Sequence, residues 1–143
     1  MKRFFAIILF CSVLISCSAT KEEMPVQILA QKLGEEINDF ENLTEASDDY
    51  IKKHLNSDLS LYSEYIVLYS SSSAVKNELG IFKVKDMNDI SKGMTEVKKY
   101  INANCSKNIE KASFTRYGKY ILFTILSLEE SNNVERKFRA ELR

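Results

Sequence analysis

Few side chains in this sequence belong to the types that usually catalyse reactions. His54 is the single histidine, and no second histidine or cysteine stands near it at the spacing of a metal site. Asp48 and Asp49 are adjacent carboxylates that could bind a metal or exchange protons, but they also suit the first turn of a helix capped by Ser47. We favour the capping role for the two aspartates and a surface or helix-end position for His54.

The candidate nucleophiles have no partners in the sequence. Serines 70–73 form a run with no histidine or lysine arranged around them by a known motif, which favours an exposed edge or a loosely held turn. Cys105 falls in phase with the apolar stripe of a predicted helix, so we expect a small buried side chain rather than a reactive thiol.

Motifs for enzymatic chemistry are absent from the sequence. There is no G-x-S-x-G, H-E-x-x-H or C-x-x-C motif, and the four glycines are isolated, so no glycine-rich phosphate loop is present. The sequence therefore predicts no catalytic residue, no metal site and no cofactor. An envelope enzyme that uses two carboxylates at an unrecognised spacing is the remaining alternative.

Cys17 is the strongest candidate for covalent chemistry. It ends the segment Leu14-Ile15-Ser16-Cys17, which follows Lys2-Arg3 and the mostly apolar run Phe4–Ile15, the layout of a secretory signal peptide. The segment resembles the bacterial lipobox. That resemblance implies a diacylglyceryl thioether on Cys17 and cleavage between Ser16 and Cys17, and two acyl chains hold a protein on a membrane stably.

Two other interpretations of the N-terminus are weaker. A transmembrane helix needs about 20 apolar residues, whereas the run here is interrupted at Ser16 and soon followed by Lys21. Ordinary signal cleavage would leave no lipid, but a cysteine at the very end of the apolar run favours lipidation. We therefore expect attachment to membrane lipid through Cys17, on the extracytoplasmic face of the cell membrane.

Length and charge limit the mature protein to a few classes. We predict a signal peptide over residues 1–16, a lipid-anchored tether over 17–24 and a single domain over 25–143. Cleavage leaves 127 residues with 18 basic and 20 acidic side chains, a net charge of −2. Because nucleic acid binding needs a concentrated positive surface, we expect no nucleic acid partner. Cys105 is the only thiol beyond Cys17, so no disulfide is expected within the domain.

Hydrophobic periodicity predicts the elements that position these residues. Apolar residues three and four apart indicate helices over 25–40, from Ser47 to Leu55, from Asp86 to Cys105 and over 131–142. Alternation indicates strands over 64–71 and 79–84 and a hairpin over 111–127 that turns at Tyr117-Gly118. The arm Tyr120 to Leu126 is apolar on both faces and is predicted to be the central strand.

This order of elements predicts an α+β fold. We expect an antiparallel sheet of about four strands, in the order ββαββα, with helices packed on it and two extra N-terminal helices as an added layer.

Four basic residues fall in or beside the predicted strands: Lys83, Lys85, Arg116 and Lys119. They could form one cationic patch for an anionic wall polymer such as teichoic acid. The alternative, which we favour, is that basic residues at strand ends keep sheet edges soluble.

Several segments together resemble a known family. They are Glu64-Tyr65-Ile66-Val67, the stretch from Asn77 to Asp86 with the following helix, the stretch from Arg116 to Phe123 and the closing helix. Over about residues 26–142 the chain is similar to the domain of unknown function family 4358, small lipoproteins found mostly in clostridia and their relatives. The chain departs from the family at serines 70–73, where relatives are more hydrophobic, and this bears on the end of the first strand.

The resemblance implies a lipoprotein of a Gram-positive envelope and carries no established activity. With the motif survey, it leads us to expect a non-catalytic protein-interaction or accessory module of the cell envelope. We expect a protein of the envelope as its partner, with an identity that the sequence does not specify. Binding of an anionic wall polymer and an unrecognised envelope enzyme are the alternatives.

Overall fold

A five-stranded antiparallel sheet lies between helices on its two faces. The structure is a computed structural model, and it describes residues 23–70, 76–104 and 111–143. In chain order the elements are α1 (Val26–Gly34), β1 (Leu43–Glu45), α2 (Asp48–Leu55), β2 (Tyr62–Ser70), β3 (Glu78–Val84), α3 (Ile90–Asn104), β4 (Ala112–Tyr117), β5 (Tyr120–Ile125) and α4 (Leu128–Leu142). Short 3-10 helices lie at Phe40–Asn42 and Met87–Asp89. The strand order in the sheet is β1-β2-β3-β5-β4.

The predicted α+β class with an antiparallel sheet is confirmed, but the prediction of about four strands is wrong. The missed strand is β1, which pairs with the end of β2 from Leu43 opposite Ser70 to Glu45 opposite Leu68. Three residues, two of them polar, are too short to produce a recognisable alternation. The two 3-10 helices also add to the helices that the periodicity predicted.

Side chains alternate along the strands and build two hydrophobic cores. Ile66 and Leu68 of β2 belong to the core under α1 and α4, whereas Val67 belongs to the core under α2 and α3. The alternation predicted for the first two long strands is therefore confirmed. The N-terminal helices do not form an added layer, because α1 packs beside α4 on one face and α2 packs beside α3 on the other.

β5 is buried at every residue and pairs with strands on both sides, as its apolar faces predicted. The middle position in the sheet, however, belongs to β3. The turn before β5 consists of Gly118 and Lys119, one residue later than predicted, because Tyr117 still pairs with Tyr120. Gly118 has φ 55°, a value that glycine adopts without the strain of a Cβ atom.

The first helix is shorter than the predicted range of 25–40, because α1 ends at Gly34. Asp39 has φ 58°, in the left-handed region, and this conformation cannot continue a helix. The ring of Phe40 folds back over Gly34, where a Cβ atom would lie 2.5 Å from two ring carbons. Ile37 is buried all the same, so the periodicity found the inward side chains beyond Gly34 but assigned them the wrong backbone conformation.

The ends of the later helices also differ from the prediction. Met87 was placed on the buried stripe of the long helix, but it lies in a 3-10 turn before α3 and is 41% exposed. α4 begins at Leu128, three residues earlier than predicted, because Ser127 and Glu130 form a reciprocal capping box. The sequence carries this signal as a serine followed three residues later by a glutamate.

None of the helices in the three described ranges is long and apolar enough to cross a membrane.

Candidate functional site

The residues that carry the lipid prediction lie outside the described ranges. These residues are Ser16 and Cys17. Cys105 and serines 71–73, which the sequence analysis also considered, lie outside the described ranges as well. The first described residue is Glu23, six positions after Cys17.

Two of the four basic residues proposed as a patch lie on opposite faces of the sheet. Lys83 pairs with Tyr120, which faces α1 and α4, whereas Arg116 pairs with Ile121, which faces α2 and α3. Directly paired residues of antiparallel strands share a face. The Lys83 ammonium is already engaged, since it lies 3.4 Å from Glu64 Oε1 and 5.2 Å from the centroid of the Tyr120 ring.

Lys85 and Lys119 are the two members of the predicted patch that the fold brings together. The Lys119 ammonium donates a hydrogen bond of 3.2 Å to the backbone oxygen of Lys85. Both residues lie at the end of the sheet where the β4–β5 hairpin turns. The four basic residues thus divide into one adjacent pair, one ion-paired lysine and one exposed arginine on the other face.

Side chains from the sheet hold the start of α1. Pro25 precedes the helix and supplies no side-chain cap. Instead, the backbone N–H of Val26 donates to Glu64 Oε2 at 3.0 Å, and the hydroxyl of Tyr120 donates to the backbone oxygen of Met24 at 2.7 Å. We call this group of contacts the α1 clamp. It fixes the point at which the chain enters the domain from the direction of Cys17.

Replacing Glu64 with alanine should loosen the α1 clamp. We expect the free energy of unfolding to fall by about 1 kcal/mol, the usual cost of losing a helix-capping acceptor, and hydrogen exchange at the Val26 amide to accelerate. Glu64→Gln keeps an oxygen acceptor for this amide and should have a smaller effect. Denaturant unfolding with amide exchange checks both, and unchanged exchange at Val26 in the alanine variant would contradict the clamp.

A cleft of about 300 Å³ lies beside the α1 clamp. Its floor is the first half of β2, from Ser63 to Ile66, and its walls are Gln27 of α1 and the segment that joins β1 to α2. On that side the lining residues are Glu45 at the end of β1, Ala46 in the connection, and Asp48 and Ile51 of α2. Including Glu64 on the floor, the described lining contains three carboxylates and no basic side chain.

The floor of this cleft is an edge of the sheet that β1 leaves uncovered. β1 pairs only with residues 68–70 of β2, and one further bond of 2.8 Å joins the Ala46 N–H to the Val67 oxygen. Because backbone groups alternate in direction along a strand, the N–H and C=O of Tyr65 point outward as those of Val67 do. In the described ranges this part of β2 pairs with β3 on its inner side and with no strand on its outer side. Ser63 forms a β-bulge there.

A second polar group lies at the opposite end of the sheet, under α2 and α3. The buried Tyr100 hydroxyl donates to Glu78 Oε1 and also interacts with Tyr50. His54 lies in the last turn of α2, where its Nδ1 is 2.7 Å from the Tyr50 backbone oxygen and its ring is 4.0 Å from the Tyr50 ring. The structure therefore confirms the helix-end position predicted for His54.

Burial raises the pKa of Glu78, while the hydrogen bond from Tyr100 and the charge of Lys76 offset part of that rise. The folded state thus binds the Glu78 proton more tightly than the unfolded chain, whose glutamate has a pKa near 4.5. The stability from this group is complete below that value and is lost as the pH rises through the folded-state pKa. The Glu78 carboxylate thus serves as the acceptor for the buried Tyr100 hydroxyl.

Glu78→Gln should therefore change the pH dependence of stability. Near pH 4 the variant and the wild type should unfold with similar free energies, and towards pH 7 the variant should gain relative to the wild type. Urea unfolding across this pH range measures the difference. Glu41→Gln, at an exposed carboxylate, is the control and should show no such trend. A constant difference between Glu78→Gln and the wild type at every pH would contradict the raised pKa.

Tyr100 was not singled out from the sequence, and among the cleft residues only Asp48 was considered for chemistry, where its capping role in α2 was favoured. Tyr100 follows Val97 by three residues, which places it on the buried face of α3, so the helical spacing alone could have found it. The cleft forms only where β1 and α2 pack against β2. No local sequence pattern around Glu45, Asp48 or Tyr65 predicts that packing.

In the described ranges no group of three or more histidine, cysteine, aspartate or glutamate side chains could hold a metal ion. Comparison with known proteins adds no identification, since no family model, no curated protein and no solved structure matches the chain. The cleft along the outer edge of β2 is a concave surface in the described ranges that another molecule could enter.

Proposed function

We propose that this chain is a membrane-anchored extracytoplasmic lipoprotein whose folded domain is a non-catalytic protein-interaction module of the cell envelope. The observation that carries the proposal is the segment Leu14-Ile15-Ser16-Cys17 after a basic start and an apolar run. A diacylglyceryl group on Cys17 supplies two acyl chains, enough for stable attachment. The resemblance to the domain of unknown function family 4358 favours the same location.

The α1 clamp supports a defined placement of the domain near the lipid. Met24 lies seven positions after Cys17, and an extended chain of that length spans at most about 25 Å. The end of the sheet that carries the clamp and the nearby cleft is then held within this distance of the membrane surface. A protein bound in the cleft would be a membrane protein or one that approaches the membrane closely.

Cross-linking in intact cells tests the proposal. The full-length lipoprotein is cross-linked with a lysine-reactive reagent and captured, and its partners are identified by mass spectrometry. One membrane or envelope protein in stoichiometric amount is the expected result, and it should disappear with Cys17→Ala. Recovery of no protein partner would contradict the interaction role.

Binding of an anionic wall polymer is the second candidate, because Lys85 and Lys119 lie together at the hairpin end of the sheet. In the same experiment it predicts recovery of wall polymer without a protein. Reversing the charge of Lys85 and Lys119 together should then abolish that recovery. Lys83 is a poorer contributor, since its ammonium is paired with Glu64.

A further inference from the structure

We propose that the cleft beside the α1 clamp binds an extended, lysine- or arginine-rich segment of the protein partner as an added strand on β2. This inference rests on the proposed function, which requires a protein partner, and it names the surface and the chemistry of what is bound.

The backbone of β2 provides the direction of binding. The outward N–H and C=O of Tyr65 lie on the uncovered part of the edge, in line with the position that β1 occupies further along the same strand. A segment laid there exchanges backbone hydrogen bonds with Tyr65 and continues the sheet past Glu45. Addition of a strand to an exposed edge is a common mode of peptide recognition, in which the backbone gives affinity and pockets for alternate side chains give specificity.

The walls select the side chains of that segment. Side chains of an added strand point alternately to the two faces of the sheet. On one face they meet Ile51 and Ala46 with Asp48 at the rim, and on the other they meet Ile66 with Gln27 beside it. Lysine and arginine have apolar stems and charged ends. Their stems fit against the buried aliphatic side chains of the cleft, and their ends reach the carboxylates.

Charge complementarity makes the occupant basic. Glu45 and Asp48 are exposed, and neither forms an ion pair within the described ranges. Asp48 and Tyr65 line the cleft together, and after burial it is the neighbouring Asp48 carboxylate that raises the pKa of the Tyr65 hydroxyl. Glu64 is neutralised by Lys83, so the attraction comes from the other two carboxylates. An acidic or neutral segment would leave both without a counter-charge.

The test uses the full-length lipoprotein in zwitterionic detergent micelles and a defined probe. The probe is a fluorescein-labelled, end-capped hexapeptide of alternating lysine and valine, and its binding is measured by fluorescence anisotropy at low salt. Saturable binding is expected, and added salt should weaken it. The same peptide with alternate backbone nitrogens methylated cannot form the edge hydrogen bonds and should bind at least about tenfold more weakly.

Matched variants locate the site. Glu45→Gln combined with Asp48→Asn should weaken binding of the probe by about tenfold or more. Glu41→Gln combined with Asp49→Asn removes the same charge from exposed residues outside the cleft lining and should stay within about twofold of the wild type. Circular dichroism checks that both double variants are folded.

The inference would be overturned by no binding of the probe, by equal binding of the methylated peptide, or by equal losses in the two double variants. A stable dimer that Glu45→Gln with Asp48→Asn disrupts would overturn it as well, in favour of a second copy on this edge. Failure here with a cross-linked protein partner in cells leaves the proposed function standing. Binding of the probe without a cross-linked protein partner in cells would contradict the proposed function and leave the peptide-binding property of the cleft standing.

Discussion

Replacing Cys17 with alanine is expected to move the protein from the membrane fraction to the soluble fraction of the envelope. The physical reason is that the acyl chains on the Cys17 sulfur would be the attachment, and each buried methylene contributes about 0.8 kcal/mol to membrane binding. Loss of two chains removes far more binding free energy than the folded domain could replace. Fractionation of cells followed by immunodetection measures the change, which should approach complete release.

The matched control is Cys11→Ala. Cys11 lies six residues earlier within the apolar run and would leave with the signal peptide, so its loss should not alter membrane retention. Retention of Cys17→Ala at the wild-type level would contradict lipidation at this residue.

Gly80→Ala should be the most damaging single substitution in the sheet. Gly80 of β3 pairs with Phe123 of β5, and a Cβ atom at position 80 would overlap the Phe123 ring. The ring cannot move aside, because Phe123 is fully buried and its centroid lies 5.3 Å from that of Tyr100 and 6.3 Å from that of Phe82. Overpacking of this kind costs about 3 kcal/mol, a large part of the stability of an ordinary domain. Urea unfolding measures the loss.

Two comparisons separate this clash from a general intolerance of alanine. Gly34→Ala meets the ring of Phe40, which is only partly buried and can move, so its effect should be much smaller. Combining Gly80→Ala with Phe123→Leu should cost less than the sum of the two single losses, because the smaller side chain makes room. Strictly additive losses would contradict a clash between the two residues.

The sequence predicted what depends on neighbours along the chain. Alternation separated Ile66 and Leu68 from Val67, and the structure places them in the two cores accordingly. A serine before two aspartates predicted the cap of α2, and the Ser47 hydroxyl oxygen accepts from the Tyr50 N–H at 3.2 Å. Such patterns are readable because the periods of helix and strand decide which side chains share a face.

What the sequence did not predict depends on contacts between distant segments. The place of β3 at the centre of the sheet, the strand β1 and the contact of Gly80 with Phe123 all follow from strand pairing that no local pattern specifies. The cleft was missed for the same reason, since Gln27, Asp48 and Tyr65 meet only after α1, α2 and β2 have packed. The basic residues were grouped into one possible patch by residue type alone. Residue type could not show that Lys83 and Arg116 lie on different faces of the sheet.

The most direct test of lipidation at Cys17, on which the proposed function rests, is the mass of the N-terminal peptide of the mature protein. The protein is purified from membranes, digested and analysed by mass spectrometry. The expected peptide begins at Cys17 and carries the added mass of a diacylglyceryl group. A peptide that begins at another residue, or an unmodified Cys17, would contradict the lipoprotein assignment.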